Sequence, residues 1–189
     1  MTTYFTSDPH WGHSRIIEYC NRPFANVKEM DQTLIDNWNR VVRSDDTVYL
    51  LGDVSFYPKE TTSKILAALK GKIHLIKGNH DKTSKLDYSR FASVNDLLSV
   101  KVSEGGKKGK YIVMCHYALK VWEHRHHGAW HLYGHSHGSM PDDPNSLSID
   151  VGVDCHGYKP VSFAEIGAIM EAKQGFKPVD HHGQGPDRE

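Results

Sequence analysis

Leu132-Tyr-Gly-His-Ser-His-Gly-Ser-Met140 can be read in two ways, and each leads to a different fold. Gly134-His135-Ser136-His137-Gly138 fits G-x-S-x-G, the strand-turn-helix elbow that presents a nucleophilic serine in hydrolases. The same residues set two histidines two apart at the end of an apolar run, as a strand end presents metal ligands. An elbow needs a helix directly after its turn. Here Ser139-Met140-Pro141-Asp142-Asp143-Pro144 follows, and the prolines bar prompt helix initiation. Ser136 therefore reads as a spacer between two candidate ligands, His135 and His137.

Working outward, four more short apolar runs end in the same way. TYFTSD (3–8) leads into Asp8 and His10, and TVYLLGD (47–53) ends on Asp53. KIHLIKGNHD (72–81) ends on Asn79, His80 and Asp81, and YIVMCH (111–116) on His116. Each run is short and rich in β-branched and aromatic residues, as buried strands are. LLSVKV (97–102) and SLSIDVGV (146–153) are weaker strands, and SEGGKKGK (103–110) reads as a hairpin loop. Helical spacing marks 27–42, with Met30, Leu34, Trp38 and Val41 on one face, and also 59–71 and 162–173. Ser162 and Glu165 fit a capping box. Strands alternate with helices at first and then follow one another, which predicts an α/β domain with a mixed sheet or two sheets packed face to face. A single domain is expected over 1–173, and the Gly/Pro-rich 174–189 is expected to be loosely ordered.

Ligands of open α/β sheets gather outside the carboxyl ends of the strands. Singly, the fragments are ordinary: D-x-H suits a turn, H-x-H a surface strand, and "GD" after a strand is common. Five successive strand ends carrying carboxylate, amide and imidazole groups are not ordinary. In an extended segment, residues i and i+2 share a side, so Asp8 with His10 could grip one ion. His135 and His137 could do the same, or divide between two ions. A nucleophilic Ser136 would leave Asp8, Asp53 and Asn79 without a purpose.

Composition narrows the partners. The 189 residues hold 23 basic and 23 acidic side chains, so no broad phosphate-tracking surface is expected, and long nucleic acid is disfavoured as substrate. No apolar run is long enough to span a bilayer, and the N-terminus lacks the charged and apolar regions of a signal peptide. The three cysteines have no C-x-x-C spacing, which suits free thiols in the cytoplasm. Fourteen histidines are many for this length, and position must decide what they do.

The ordered series Asp8-x-His10, Gly52-Asp53, Gly78-Asn79-His80-Asp81, His116, Gly134-His135-x-His137 resembles the calcineurin-like metallophosphoesterase superfamily. SDPHWGH, NRPF and GVDCHGYKPVS extend the likeness to its small, cap-less bacterial and phage members, over most of the chain. The resemblance implies two packed mixed β-sheets flanked by helices, an αββα sandwich. It further implies one ion held by Asp8, His10 and His137, a second by Asn79, His116 and His135, and Asp53 bridging both. Two divalent transition-metal ions suit such oxygen and nitrogen donors, manganese foremost, with iron, zinc or nickel compatible. The implied chemistry is attack on phosphorus by hydroxide held between the ions, without a covalent enzyme intermediate. His80 falls where the family places a histidine that binds phosphate or protonates the leaving group, with Asp81 orienting its ring.

The substrate expected is a small phosphate ester, a diester in preference to a monoester, and a nucleotide is compatible. A monoesterase or nuclease using the same residues, and a non-catalytic scaffold on the same fold, are the alternatives; the scaffold usually lacks ligands, and none is lacking here. Weaker substrate-binding candidates join Asn79 and His80. These are His13, beside the first ligand pair, and Arg22 of NRPF as a phosphate clamp. Tyr117, Trp122 and Trp130 flank the later ligands and either stack on a base or pack inside. EHRHHG (123–128) reads as an exposed loop bordering the cleft. Cys155 and His156 are placed near the site by no argument from sequence.

Overall fold

The computed structural model describes residues 1–106 and 109–173. The expectation of a loose tail at 174–189 lies outside the described residues. Two mixed sheets form the centre. The first, in the order β4-β3-β2-β1-β9, joins β4 (Ser93–Asn95), β3 (Lys72–Ile76), β2 (Thr47–Leu50), β1 (Thr3–Thr6) and β9 (Val161–Ser162). Its first four strands are parallel, and β9 pairs antiparallel with β1. The second, β5-β6-β7-β8, joins β5 (Leu97–Val102), β6 (Lys110–Cys115), β7 (Trp130–Tyr133) and β8 (Ser148–Asp150). β5 and β6 form the expected hairpin, and β6, β7 and β8 run parallel.

The helices are α1 (Ser14–Tyr19), α2 (Val27–Val41), α3 (Lys59–Ala68) and α4 (Phe163–Glu171). α2 buries Met30, Leu34 and Trp38, one per turn, and starts where the Asn26 side chain accepts from the Glu29 N–H. α4 opens with the Ser162–Glu165 capping box. The short strands β4 and β9 carry too few residues to show a period, and sequence pattern passes over both.

Period-two alternation divides the first sheet between two cores. Val48, Leu50, Ile73 and Leu75 face Met30, Leu34, Trp38 and Leu66 of the helices. Phe5 and Ile76 point the other way and meet Ile112, Met114 and Leu132 of the second sheet, together with Ile166 and Met170 of α4. Burial on both faces explains why these strands read as continuous apolar runs. On the outer face of the second sheet, Val113 lies under Trp122 and Ala129.

Candidate metal centre

All the ligand candidates follow the carboxyl ends of β1, β2, β3, β6 and β7. There the backbone leaves the extended region. Asp8, His10, Asp53, His135 and His137 all have φ between 47° and 66°. Such left-handed residues are uncommon away from glycine, and a set of them is strain held in place by the surrounding fold. Same-side projection from an extended strand is therefore not how Asp8 and His10, or His135 and His137, are presented. They stand on tight turns past the strand ends, and bonds between loops fix those turns. The Asp8 N–H donates to Gly52 O (3.1 Å), the His10 N–H to Asp53 O (3.1 Å), and the Gly134 N–H to His116 O (3.0 Å). Gly52, at φ 92°, leaves no room for a Cβ against the Gly78 backbone.

The side chains fall into two groups. Ligand atoms of Asp8, His10 and His137 lie within 4.8 Å of one another, and so do those of Asp53, His116 and His135. Asp53 sits between them: Oδ2 is 3.4 Å from His10 Nε2, and Oδ1 is 3.7 Å from His116 Nε2. Asn79 Oδ1 is 3.2 Å from His116 Nε2, which joins it to the second group. His135 and His137 thus separate, one to each group. Burial opposes ionisation of Asp53, but the nearby His10 and His116 bring its carboxyl down to about 2. Burial likewise disfavours the His10 cation, yet Asp53 and Asp8 raise its pKa.

These residues fit a metal on chemistry of their own. Asp8 Oδ1 and His10 Nε2 are buried, 3.7 Å apart, and have no hydrogen-bond partner among the described residues. Buried polar atoms are rarely left in that condition unless an ion or water completes them. The far nitrogens of two rings are also committed. His116 Nδ1 donates to Leu51 O (2.6 Å), which turns the Nε2 lone pair toward Asp53 and Asn79. His137 Nδ1 meets Asp154 Oδ2 at 2.7 Å, leaving Nε2 for a ligand. Fixing tautomers in this way is the usual office of groups behind metal-binding histidines.

Asp154, which sequence reading left among the residues of GVDCHGYKPVS, is the site residue it missed. Its carboxylate also takes both arms of Arg22, from Nε and Nη2 at 2.8 Å each. Arg22 donates as well to Asp8 O (2.8 Å) and Pro9 O (3.0 Å), and its side chain is fully buried. The phosphate-clamp expectation for Arg22 is corrected: its donors are consumed in tying the Asp8 turn to the His137 turn. The role assigned to Asp81 is corrected too. Its carboxylate accepts from the N–H groups of Asp53, Val54 and Gly78, all at 2.9 Å, and so pins the Asp53 loop rather than the His80 ring. Burial raises the Asp81 pKa to about 6.

His80 stands at the mouth with its side chain 43% exposed, its Nε2 3.9 Å from Asp53 Oδ2, and burial lowering its pKa. His13 Nδ1 lies 3.3 Å from His10 Nδ1, and its ring stacks on Phe56 at 4.0 Å. Burial, then His10, lower the His13 pKa to about 4. Phe56 also touches the His10 and His80 rings, a contact with no signal in the sequence. Tyr117 is exposed beside His116 and His135, whereas Trp122 and Trp130 are buried. Ser136 is followed by bends and turns, not by a helix. Cys155 packs near Gly138, and His156 Nε2 bonds Asp150 O. The 123–128 loop is corrected as well: it precedes β7, at the end of the second sheet opposite the ligands, and does not border this cleft.

The calcineurin-like phosphoesterase model matches residues 1–147. An uncharacterized protein of Methanocaldococcus jannaschii is 37% identical over 184 residues, spanning 94% of this chain and 96% of that one. The gene 66 protein of Mycobacterium phage L5 is 29% identical over 182 residues, 82% of this chain and 87% of its own. A solved protein of unknown function from Aquifex aeolicus superposes with a TM-score of 0.65 at 24% identity, covering 89% of this chain and 98% of that one, and shares the fold. With both donor groups at one edge of two mixed sheets and the family match running through every ligand candidate, the chain belongs to the calcineurin-like phosphoesterase family and is a metal-dependent phosphoesterase.

Proposed function

We propose that the chain hydrolyses phosphodiesters with two divalent ions, one held by Asp8, His10 and His137 and one by Asn79, His116 and His135, with Asp53 shared. The observation that carries this is the Asp53 carboxylate, which offers one oxygen to each imidazole group. When bound, such ions supply Lewis acidity toward a phosphate oxygen and an attacking water. The chain's own part is positional. Asp53, ionised far below neutral pH, keeps negative charge between the two groups. The His80 backbone N–H donates to Asp53 Oδ1 at 3.0 Å, and this anchors its ring at the mouth, where the ring donates to a phosphate or leaving-group oxygen. His13, neutral and stacked on Phe56, lines the approach.

A diester is favoured because Asn79 and His135 are exposed and His80 nearly half so, leaving room for substituents on both sides of the phosphate. The exposed Tyr117 ring beside His135 suits a nucleotide-like substituent. Mixed carboxylate, amide and imidazole donors suit manganese, with iron, zinc or nickel as competitors. The cysteines are free, and among the described residues no helix is long and apolar enough to cross a membrane, which accords with a cytoplasmic enzyme of one domain over 1–173.

The test compares hydrolysis of bis-p-nitrophenyl phosphate and p-nitrophenyl phosphate by metal-stripped protein given Mn, Ni, Zn or Mg, with Asp53→Ala as control. Metal-dependent turnover, faster on the diester and absent in the variant, is expected. Faster turnover of the monoester would overturn the diester preference, and turnover that survives Asp53→Ala would overturn the shared-carboxylate site.

A further inference from the structure

We propose that a second anion site, at the end of the second sheet opposite the metal ligands, takes a phosphorylated nucleoside. A cavity of about 550 Å³ lies there, lined by Lys101, Lys110, Tyr111, His124 and His127, with Gly128 beneath. That volume lies within the range of pockets that hold small ligands. No carboxylate is among the lining residues; Glu123 reaches His124 Nε2 from outside it, at 3.6 Å. Tyr111 and His116 are five strand steps apart, roughly 17 Å at the usual rise, so the cavity is separate from the metal centre.

The lining is organised. Lys101 is the cross-strand partner of Tyr111, so both project from the outer face, with Lys101 Nζ 5.6 Å from the tyrosine ring. Lys110 Nζ donates to Gly128 O (3.3 Å) and lies 5.2 Å from the Trp130 ring. The His124 ring packs 5.0 Å from Tyr111, on a residue held at φ 57°. Left-handed backbone at a non-glycine residue persists only where neighbours impose it. Here His124 and Gly128 (φ 78°) bracket the turn Arg125–His127, which walls the cavity.

Lysines on an edge strand can serve merely to stop strands of other molecules from pairing. That explains Lys101 on β5 but neither Lys110, on the inner strand β6, nor the 46% exposure of Tyr111. The neighbouring outer face is closed by Val113, Trp122 and Ala129, whereas the cationic and aromatic end is open. An exposed ring flanked by an imidazole offers a stacking surface for a base, and two ammonium groups with His127 offer donors to phosphate oxygens.

The experiment is calorimetric titration of ADP into the full chain in EDTA, for the wild type, Asp53→Ala, Lys110→Ala and Tyr111→Ala. One saturable site of equal affinity in the wild type and Asp53→Ala is expected, weakened about tenfold by Lys110→Ala or Tyr111→Ala. Tripolyphosphate and adenosine, each lacking half of the recognised chemistry, should bind more weakly than ADP. Absence of ADP binding overturns the proposal, as does binding lost in Asp53→Ala but kept in Lys110→Ala, or tripolyphosphate matching ADP. Because metal is removed and nothing turns over, failure here is distinct from failure of the hydrolytic reading.

Discussion

His131, on β7, should make the fold acid-sensitive by a predictable amount. It is fully buried, its Nδ1 donates to Val113 O (3.0 Å), and its Nε2 accepts from the Leu119 N–H (3.0 Å). Those two bonds require the neutral ring, since a proton on Nε2 would face the Leu119 N–H. Burial accordingly lowers its pKa from 6.5 to about 4. The unfolded chain takes up this proton near pH 6.5 and the folded chain only near pH 4, so the unfolded state binds more protons between them and stability falls as pH falls. At roughly 1.4 kcal/mol per pKa unit, the loss is about 3 kcal/mol once pH reaches 4, and about 2 kcal/mol at pH 5. Urea unfolding of wild type and His131→Gln, both in chelator, at pH 8, 6.5 and 5 isolates this contribution. The glutamine costs a constant amount but does not titrate, so the gap between the two proteins should narrow by about 2 kcal/mol from pH 8 to pH 5. Parallel curves, with the gap constant to about 0.5 kcal/mol, would refute the reasoning.

Three further outcomes follow from the site. Asp81→Ala strands three N–H groups, two of them buried, and should cost about 3 kcal/mol in urea unfolding without moving the pH profile of turnover; wild-type stability with a shifted profile would instead restore Asp81 as the orienter of His80. Asp154→Asn turns a donor toward His137 Nδ1 and forces the proton onto Nε2, so one of two ions should bind roughly 10- to 100-fold more weakly by competition titration, with partial recovery in Asp154→Glu; unchanged affinity for both ions would remove Asp154 from the site. Gly134→Ala drives a Cβ into Ser7 Oγ and Asp8 Oδ2 and should weaken metal binding at least about tenfold, while Gly157→Ala, with open space around it and φ 62°, should cost only about 1 kcal/mol and leave metal binding intact.

The candidate metal donors were legible because each kind of signal is local. Apolar runs of strand length ended one after another in Asp, Asn or His, and that order alone placed Asp8, His10, Asp53, Asn79, His116, His135 and His137 at the carboxyl ends of strands. Helices α2 and α4 were equally legible, from the Met30–Leu34–Trp38 stripe and from the Ser162–Glu165 cap. Arg22 and Asp81 were misjudged for a common reason. Both are charged residues inside metal-site motifs, and sequence does not tell whether a charge faces solvent and substrate or is spent on backbone groups behind the ligands. Burial decides that, and burial belongs to the packed chain.

The sequence by itself determined the strand ends that carry candidate metal ligands and the helices that cover the first sheet, since periodicity and residue type are properties of short segments, and the order of its motifs implied the class of chemistry through a family resemblance. Tertiary structure alone decided that Arg22 and Asp81 are spent on backbone groups behind the ligand candidates, that Asp154, 132 residues from Arg22, fixes the His137 tautomer, and that the 123–128 loop lies at the far end of its sheet. Those depend on left-handed turns and on hydrogen bonds between distant segments, and neither leaves a period in the chain.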